Sequence, residues 1–167
     1  MQKSILYPIL YISLSISGLS VAIAAIDNTV MPTQTYVSYK LAIISQMYKQ
    51  DAESEGFGDI PILVEYGTSE LQAALALEQD YYDRTQMSCN VGFDILWHSQ
   101  DPDYAQDKQI TMTDTGLVKV SLTQGRDIYY ELVCDNTNYK NNNRCQIDDV
   151  IFSEDISLKA YLFEQCR

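Results

Sequence analysis

The sequence has 167 residues, of which 46% are hydrophobic, and its 11 Lys and Arg against 23 Asp and Glu give a formal net charge of −12. This length and apolar content predict a single domain that is able to bury a core. The small number of basic residues argues against a nucleic-acid partner, because a surface that grips phosphates needs clustered Lys and Arg. An anionic membrane surface is disfavoured for the same reason.

The N-terminal residues 1–25 differ in composition from the rest of the chain. Lys3 is their only charged residue, an apolar run extends from Ile5 to Ile23, and small side chains follow. This pattern predicts a cleaved secretory signal peptide, with Ala25 as the new N-terminus or a cut after Ala25 as the alternative. A retained anchor helix is the competing interpretation, because the apolar run is nearly long enough to span a bilayer.

Cleavage would leave one domain, residues 26–167, in the periplasm or outside the cell. The predicted leader contains one Lys and no acidic residue, so 10 bases and 23 acids remain and the net charge becomes −13. After cleavage we expect no membrane contact.

All four cysteines lie after the predicted leader. An even number of cysteines in an exported chain of this length predicts two disulfides. We favour Cys134–Cys145, because these two flank a polar loop, and this choice leaves Cys89 to pair with Cys166. A zinc site is the competing interpretation, but the sequence has no C-x-x-C and only one histidine, His98, so we predict no metal.

The first predicted element is an amphipathic helix over roughly residues 33–50. It is indicated by apolar residues at spacings of four, three and four, namely Val37, Leu41, Ile44 and Tyr48. The acidic stretch 51–59 contains two glycines, breaks this periodicity and predicts a loop.

A second helix is predicted behind a short apolar run. The run, residues 60–66, is compatible with helix or strand. Ser69 and Gln72 then match the capping-box pattern, and residues of strong helix propensity continue to about Arg84.

From Cys89 onward the apolar residues recur with a period of two. This alternation predicts four strands, around residues 110–112, 118–122, 128–132 and 145–152, which would form an antiparallel meander. The spacing of Leu158, Tyr161 and Leu162 predicts a short closing helix. The order of elements indicates an α+β fold, with N-terminal helices on one face of a curved antiparallel sheet of about four strands. Five Asn in residues 135–144 predict an exposed hairpin loop.

Three local sequences, at residues 89–103 (CNVGFDILWHSQDPD), 146–150 (QIDDV) and 157–162 (SLKAYL), resemble those of a family of small exported bacterial proteins without an assigned general function. The resemblance implies the nuclear transport factor 2-like (cystatin-like) fold, a cone in which helices pack on a strongly bent sheet around a pocket. That fold serves enzymes, transport adaptors and immunity proteins, so it does not by itself select a function. The resemblance carries over no catalytic residue.

His98 is the sole imidazole, and it lies beside Trp97. A general-base role would need a carboxylate to orient it, and Asp94 or Asp101 are the candidates. A surface or hydrogen-bonded histidine is the simpler interpretation. The sequence has no G-x-S-x-G motif and no glycine-rich phosphate loop, so we expect no enzymatic activity and no cofactor.

Three nearby aspartates, Asp101, Asp103 and Asp107, invite a calcium interpretation. The stretch lacks the central Gly and the closing Glu of the twelve-residue calcium loop. We therefore predict a solvated turn in which Pro102 fixes the backbone.

Tyrosine is frequent, with 13 residues in the chain and 11 after the predicted leader. Tyrosines are enriched at recognition surfaces, although most of these are expected to lie in strands or on half-buried helix faces. Together with the acidic charge they favour a non-enzymatic periplasmic or secreted protein that binds a basic protein. Its specific version is an immunity protein or inhibitor of a cationic, cell-wall-targeting toxin or lysozyme. The nominated contact residues are Trp97, His98, Asp101, Asp103 and Tyr139.

Two alternatives stay open from the sequence. One is a small-ligand-binding or enzymatic protein that uses Asp94 and His98 inside the cone. The other is a structural envelope protein. In the favoured case, acidic loops at residues 51–59 and 135–144 would present carboxylates to the partner.

Overall fold

A computed structural model describes residues 33–134, 145–153 and 156–167. The predicted signal peptide, residues 1–25, and the nominated Tyr139 lie outside the described residues. The described residues belong to one compact unit.

Helices come first in the described part, and a sheet and a last helix follow. The elements are α1 (Thr33–Ser54), α2 (Ile62–Tyr66), α3 (Ser69–Thr85), β1 (Lys108–Met112), β2 (Val118–Leu122), β3 (Ile128–Cys134), β4 (Cys145–Ser153), β5 (Ile156–Ser157) and α4 (Leu158–Gln165). This order confirms the α+β class. The cone implied by the resemblance stays a prediction.

The sheet is an antiparallel meander in the order β1-β2-β3-β4-β5. Its four longer strands are those that the alternation predicted. The fifth, β5, was not predicted, because two residues are too few to show a period of two. Alternate residues of β2 and β3 are buried, so one face of these strands packs into the core.

Helix α1 continues four residues beyond the predicted end at Gln50. Its core-facing stripe is Ile44, Met47, Tyr48 and Asp51, which are all buried. The predicted loop therefore begins later, at Glu55, because Asp51 belongs to the buried face rather than to the loop.

The cap of α3 differs from the prediction. Thr68, not Ser69, is the N-cap, and its side chain accepts a hydrogen bond from the Leu71 N–H. With Thr68 as the N-cap, the third residue of the helix is Leu71 rather than Gln72, so no capping box forms, and the Thr68 N–H donates to the Ile147 carbonyl instead. The Gln72 amide instead donates to the carbonyls of Val64 and Gly67.

Both favoured cysteine pairings are present in the structure. Cys134–Cys145 joins the facing ends of β3 and β4, and Cys89–Cys166 links the segment after α3 to the end of α4. The cysteines are therefore not thiolate ligands for zinc. Two disulfides are consistent with an oxidising compartment.

Candidate functional site

A groove of about 700 Å³ opens between α2, α3 and the segment of residues 88–96. Its walls are mostly apolar and include Ile62, Leu63, Leu75, Ile95 and Leu96. A cavity of this size lies in the range of sites that accept a small molecule or a side chain of a partner.

The charged side chains that line the groove are all acidic: Asp51 from α1, Glu78 from α3 and Asp94 from the 88–96 segment. No Lys, Arg or His lines it among the described residues. The groove therefore presents negative charge beside apolar walls.

Large apolar side chains lie exposed next to residues that line the groove. Phe57, Ile60, Tyr82 and Met87 are between 49% and 88% exposed, and Phe57 is the most exposed of them. Phe57 follows Gly56, Ile60 precedes Pro61, and Met87 precedes Ser88. Tyr82 itself lines the groove, and exposed large apolar side chains beside a groove are typical of an interaction surface. We call these four residues the apolar rim.

The turn that carries Phe57 depends on Gly56. This glycine has a φ of 74°, and a Cβ there would collide with the Tyr104 hydroxyl. Any other residue would strain the backbone and displace Tyr104. The fold thus presents an apolar side chain to solvent on a constrained turn.

Asp51 is only 6% exposed, and its Oδ2 accepts a hydrogen bond of 2.6 Å from the Trp97 indole N–H. The Asp94 Oδ1 accepts hydrogen bonds from the Leu96 and Trp97 N–H groups, at 2.8 and 3.0 Å. Neither carboxylate forms a salt bridge within the described residues. Burial raises the pKa of Asp94, and the negative charge of Asp51 raises it further.

A buried aromatic cluster holds this part of the groove in place. The Tyr48 hydroxyl donates to the Leu96 carbonyl at 2.6 Å and lies 2.8 Å from the Tyr130 hydroxyl. The Tyr48 ring also packs edge-on against Trp97. Burial raises the pKa of both tyrosines above the ordinary value, so the hydroxyls act as neutral hydrogen-bonding groups.

The Lys108 ammonium group, from β1, lies 5.0 Å from the centre of the Trp97 ring and 5.8 Å from that of Tyr48. This places the cation over aromatic rings rather than in a salt bridge.

The 88–96 segment, which forms one wall of the groove, is held to α4 by the Cys89–Cys166 disulfide and by a hydrogen bond from the Tyr161 hydroxyl to the Asn90 carbonyl.

The nominated contact residues are not brought together in one site. Trp97 is fully buried and therefore has no surface to offer a partner. His98 is half-buried, packs on Phe93 and has a φ of 48°. Asp101 and Asp103 are exposed on a turn whose polar groups bond locally. Of the nominated residues that the structure describes, none lines the groove.

The Asp94–His98 pair of the enzymatic alternative is not formed. The Asp94 carboxylate bonds to backbone N–H groups, and the His98 ring contacts Phe93 instead. In the described part of the chain, no group of three or more His, Cys, Asp or Glu side chains is arranged to hold a metal ion.

Sequence reasoning missed the groove: it named Asp94 for an enzymatic site, included Asp51 only as the start of an acidic loop, and did not name Glu78. Asp51 was assigned to a loop, although it lies three residues after Tyr48 on the apolar stripe of α1. The signal for Phe57 was the segment Gly56-Phe57-Gly58, where an aromatic residue stands between two glycines. The two glycines place Phe57 in a turn outside the helices and strands, where it is 88% exposed.

No helix within the described ranges has both the length and the apolar character needed to cross a membrane. Comparisons of the chain with protein families, with curated proteins and with solved structures find no match.

Proposed function

We propose that this protein is a non-enzymatic, extracytoplasmic binding protein whose groove receives an apolar and basic segment of a basic protein partner. The observation that carries the proposal is the combination of the exposed apolar rim with a groove whose charged lining residues are all acidic. Apolar contacts at the rim would supply affinity, and the carboxylates would select a basic partner.

The overall charge supports the same kind of partner. A chain with 23 acidic and 11 basic residues attracts cationic proteins at long range, and the effect weakens as salt screens it. The two disulfides suit a protein that meets its partner in an oxidising compartment. The specific form of the proposal is an immunity protein or inhibitor that neutralises a cationic, cell-wall-targeting toxin or a lysozyme.

The test compares two pairs of exposed apolar residues. The mature chain is immobilised as wild type, as Phe57→Ser/Met87→Ser in the rim, and as Val133→Ser/Ile156→Ser, a matched pair away from the groove. Each is exposed to an extract of envelope and secreted proteins at low and high salt, and captured proteins are identified by mass spectrometry and retested in pure form.

We expect a basic protein to bind the wild type and the Val133/Ile156 variant in purified form, and to bind the Phe57/Met87 variant at least about tenfold more weakly. High salt should weaken the interaction. Retention by the Phe57/Met87 variant, an acidic partner, or binding that is indifferent to salt would each contradict the proposal.

A further inference from the structure

We propose that Asp51 and Asp94 together hold one cationic group of the partner, a Lys or Arg side chain whose alkyl stem lies along the apolar wall of the groove. This inference rests on the proposed function and specifies which chemical group enters the groove. It makes Asp51 and Asp94 the residues that determine specificity for a cation.

Each of the two carboxylates keeps one oxygen without a hydrogen bond in the described part of the chain. In Asp51, Oδ2 accepts from the Trp97 indole and Oδ1 has no such bond. In Asp94, Oδ1 accepts from two backbone N–H groups and Oδ2 has none. The occupied oxygens fix the orientation of both side chains, so the unoccupied ones are positioned before a ligand arrives.

No Lys, Arg or His of the described chain forms a salt bridge with either carboxylate. The salt bridges present involve other residues, Lys49, Lys119 and Lys159. Lys108 faces the Trp97 and Tyr48 rings and forms no salt bridge with either carboxylate. Partly buried carboxylates without a cation are unfavourable, and an incoming ammonium or guanidinium group would relieve that cost.

The walls beside the carboxylates suit an alkyl stem. Ile62, Leu75 and Leu96 line the same groove as Asp51 and Asp94. Lys and Arg have apolar stems that cover apolar surface while the charged end reaches a polar partner. An acidic or purely apolar side chain would leave the two carboxylates unpaired.

Small alkyl probes test this inference independently of any protein partner. Hexylammonium, hexylguanidinium, hexanol and hexanoate share one stem and differ only in the end group. Each is titrated at neutral pH into the 15N-labelled mature protein, and backbone amide shifts near residues 94–97 report binding. The variants are Asp94→Asn and Asp51→Asn, with Asp114→Asn as a control that makes the same chemical change in an exposed turn outside the groove.

We expect the two cations to bind more tightly than hexanol, and hexanoate to bind most weakly. Asp94→Asn and Asp51→Asn should each weaken cation binding by about fivefold to tenfold and leave hexanol binding unchanged, whereas Asp114→Asn should change neither. Both variants keep an amide oxygen that can accept the existing hydrogen bonds, and unchanged amide spectra away from the groove confirm folding.

Equal binding of hexanol and hexylammonium, or equal effects of Asp94→Asn and Asp114→Asn, would overturn the inference. The outcomes separate it from the proposed function. If a basic protein binds through the apolar rim but Asp94→Asn has no effect, only the inference fails. If the alkyl cations bind as expected but no basic protein depends on the rim, the proposed function fails alone.

Discussion

Asp51 and Asp94 beside the groove can be compared with another pair of aspartates, Asp148 and Asp149 on β4. The Asp148 carboxylate accepts hydrogen bonds from the Lys159 ammonium at 2.7 Å and from the Thr68 hydroxyl at 3.0 Å. The bond from Lys159 lowers the pKa of Asp148.

Asp149 is also fully engaged within the chain. Its Oδ1 accepts from the N–H groups of Val150 and Lys159, and its Oδ2 accepts from the Ser157 hydroxyl. These contacts hold the start of α4 against β4. All four carboxylate oxygens of this pair therefore accept hydrogen bonds from within the chain. The pair has a structural role.

The comparison indicates that the role of an aspartate pair depends on whether the chain places a cation beside it. At β4 it supplies Lys159, and the pKa of Asp148 falls. At the groove it supplies only uncharged N–H donors, and the pKa of Asp94 rises. The pair that forms no salt bridge within the described residues is the one that lines the groove.

The largest predicted effect comes from the Cys89–Cys166 disulfide, which joins the groove wall to α4. The variant Cys89→Ala/Cys166→Ala releases a loop with a sequence separation of 77 residues. By the chain-entropy model we expect the free energy of unfolding to fall by about 4 kcal/mol, measured by urea denaturation.

Cys134→Ala/Cys145→Ala is the matched control for this experiment. Its separation of 11 residues predicts a smaller loss, about 3 kcal/mol. This disulfide lies on β3 and β4, so its removal should leave hexylammonium binding unchanged, whereas the Cys89/Cys166 variant should weaken it. Equal binding by both variants would show that the disulfide does not shape the groove.

The next effect concerns Asp51. Trp97→Phe removes the indole N–H and leaves a buried carboxylate without its donor. We expect a loss of about 2–4 kcal/mol in the free energy of unfolding, from the unpaired carboxylate and from the smaller ring. In an Asp51→Asn background the same substitution should cost less, because no buried charge is left unpaired. A cost that is the same in both backgrounds would mean that ring packing alone accounts for it.

Much of the fold could be predicted because its signals are local. The alternation of Val118, Val120 and Leu122 reports directly on one strand with one buried face, and a count of four cysteines leaves only three ways to form two disulfides. The boundary of α1 was harder, because Asp51 is polar and hydropathy alone places it outside the apolar stripe. Only the hydrogen bond with Trp97, 46 positions along the chain, explains its burial.

The candidate site could be predicted only in fragments, because it is formed by segments that are distant in sequence. Asp51, Glu78 and Asp94 lie on three different elements, and no local spacing links them. Trp97 was nominated as a contact residue for a partner. The structure buries it against Tyr48 and Tyr104, contacts that depend on how α1 meets the 88–107 region.

A smaller effect is expected at the salt bridge on β4. Lys159→Met removes the cation that meets Asp148. We expect a loss of about 1 kcal/mol at neutral pH, since the pair is only partly exposed and the remaining contacts of Asp148 persist. Because the pKa of Asp148 is lowered in the folded state, its stabilising contribution is present above the pKa of unfolded Asp and is lost as the pH falls through the folded value. The difference between variant and wild type, measured by denaturation across pH, should therefore shrink in acid. A difference that is independent of pH would assign the loss to packing.

The smallest predicted effect is an increase in the free energy of unfolding, on substitution of Asp94. Its pKa is raised in the folded state by burial and by Asp51, so the charged form opposes folding at neutral pH and this cost disappears as the pH falls through the folded value. Asp94→Asn mimics the protonated form and keeps an acceptor for the Leu96 and Trp97 N–H groups. We expect it to raise the free energy of unfolding at neutral pH by about 0.5 kcal/mol, a value reduced for solvent screening, and to match the wild type in acid.

Asp148→Asn provides the matched control in the same denaturation series. It should be less stable than the wild type at neutral pH and should approach it in acid, because it loses a carboxylate whose folded pKa is lowered. If the two Asp→Asn variants change the free energy of unfolding at neutral pH in opposite directions, the Asp148 carboxylate stabilises the folded chain and the Asp94 carboxylate destabilises it. If Asp94→Asn also destabilises at neutral pH, the Asp94 carboxylate contributes to folding in the same way as Asp148, and the contrast between the two pairs is wrong.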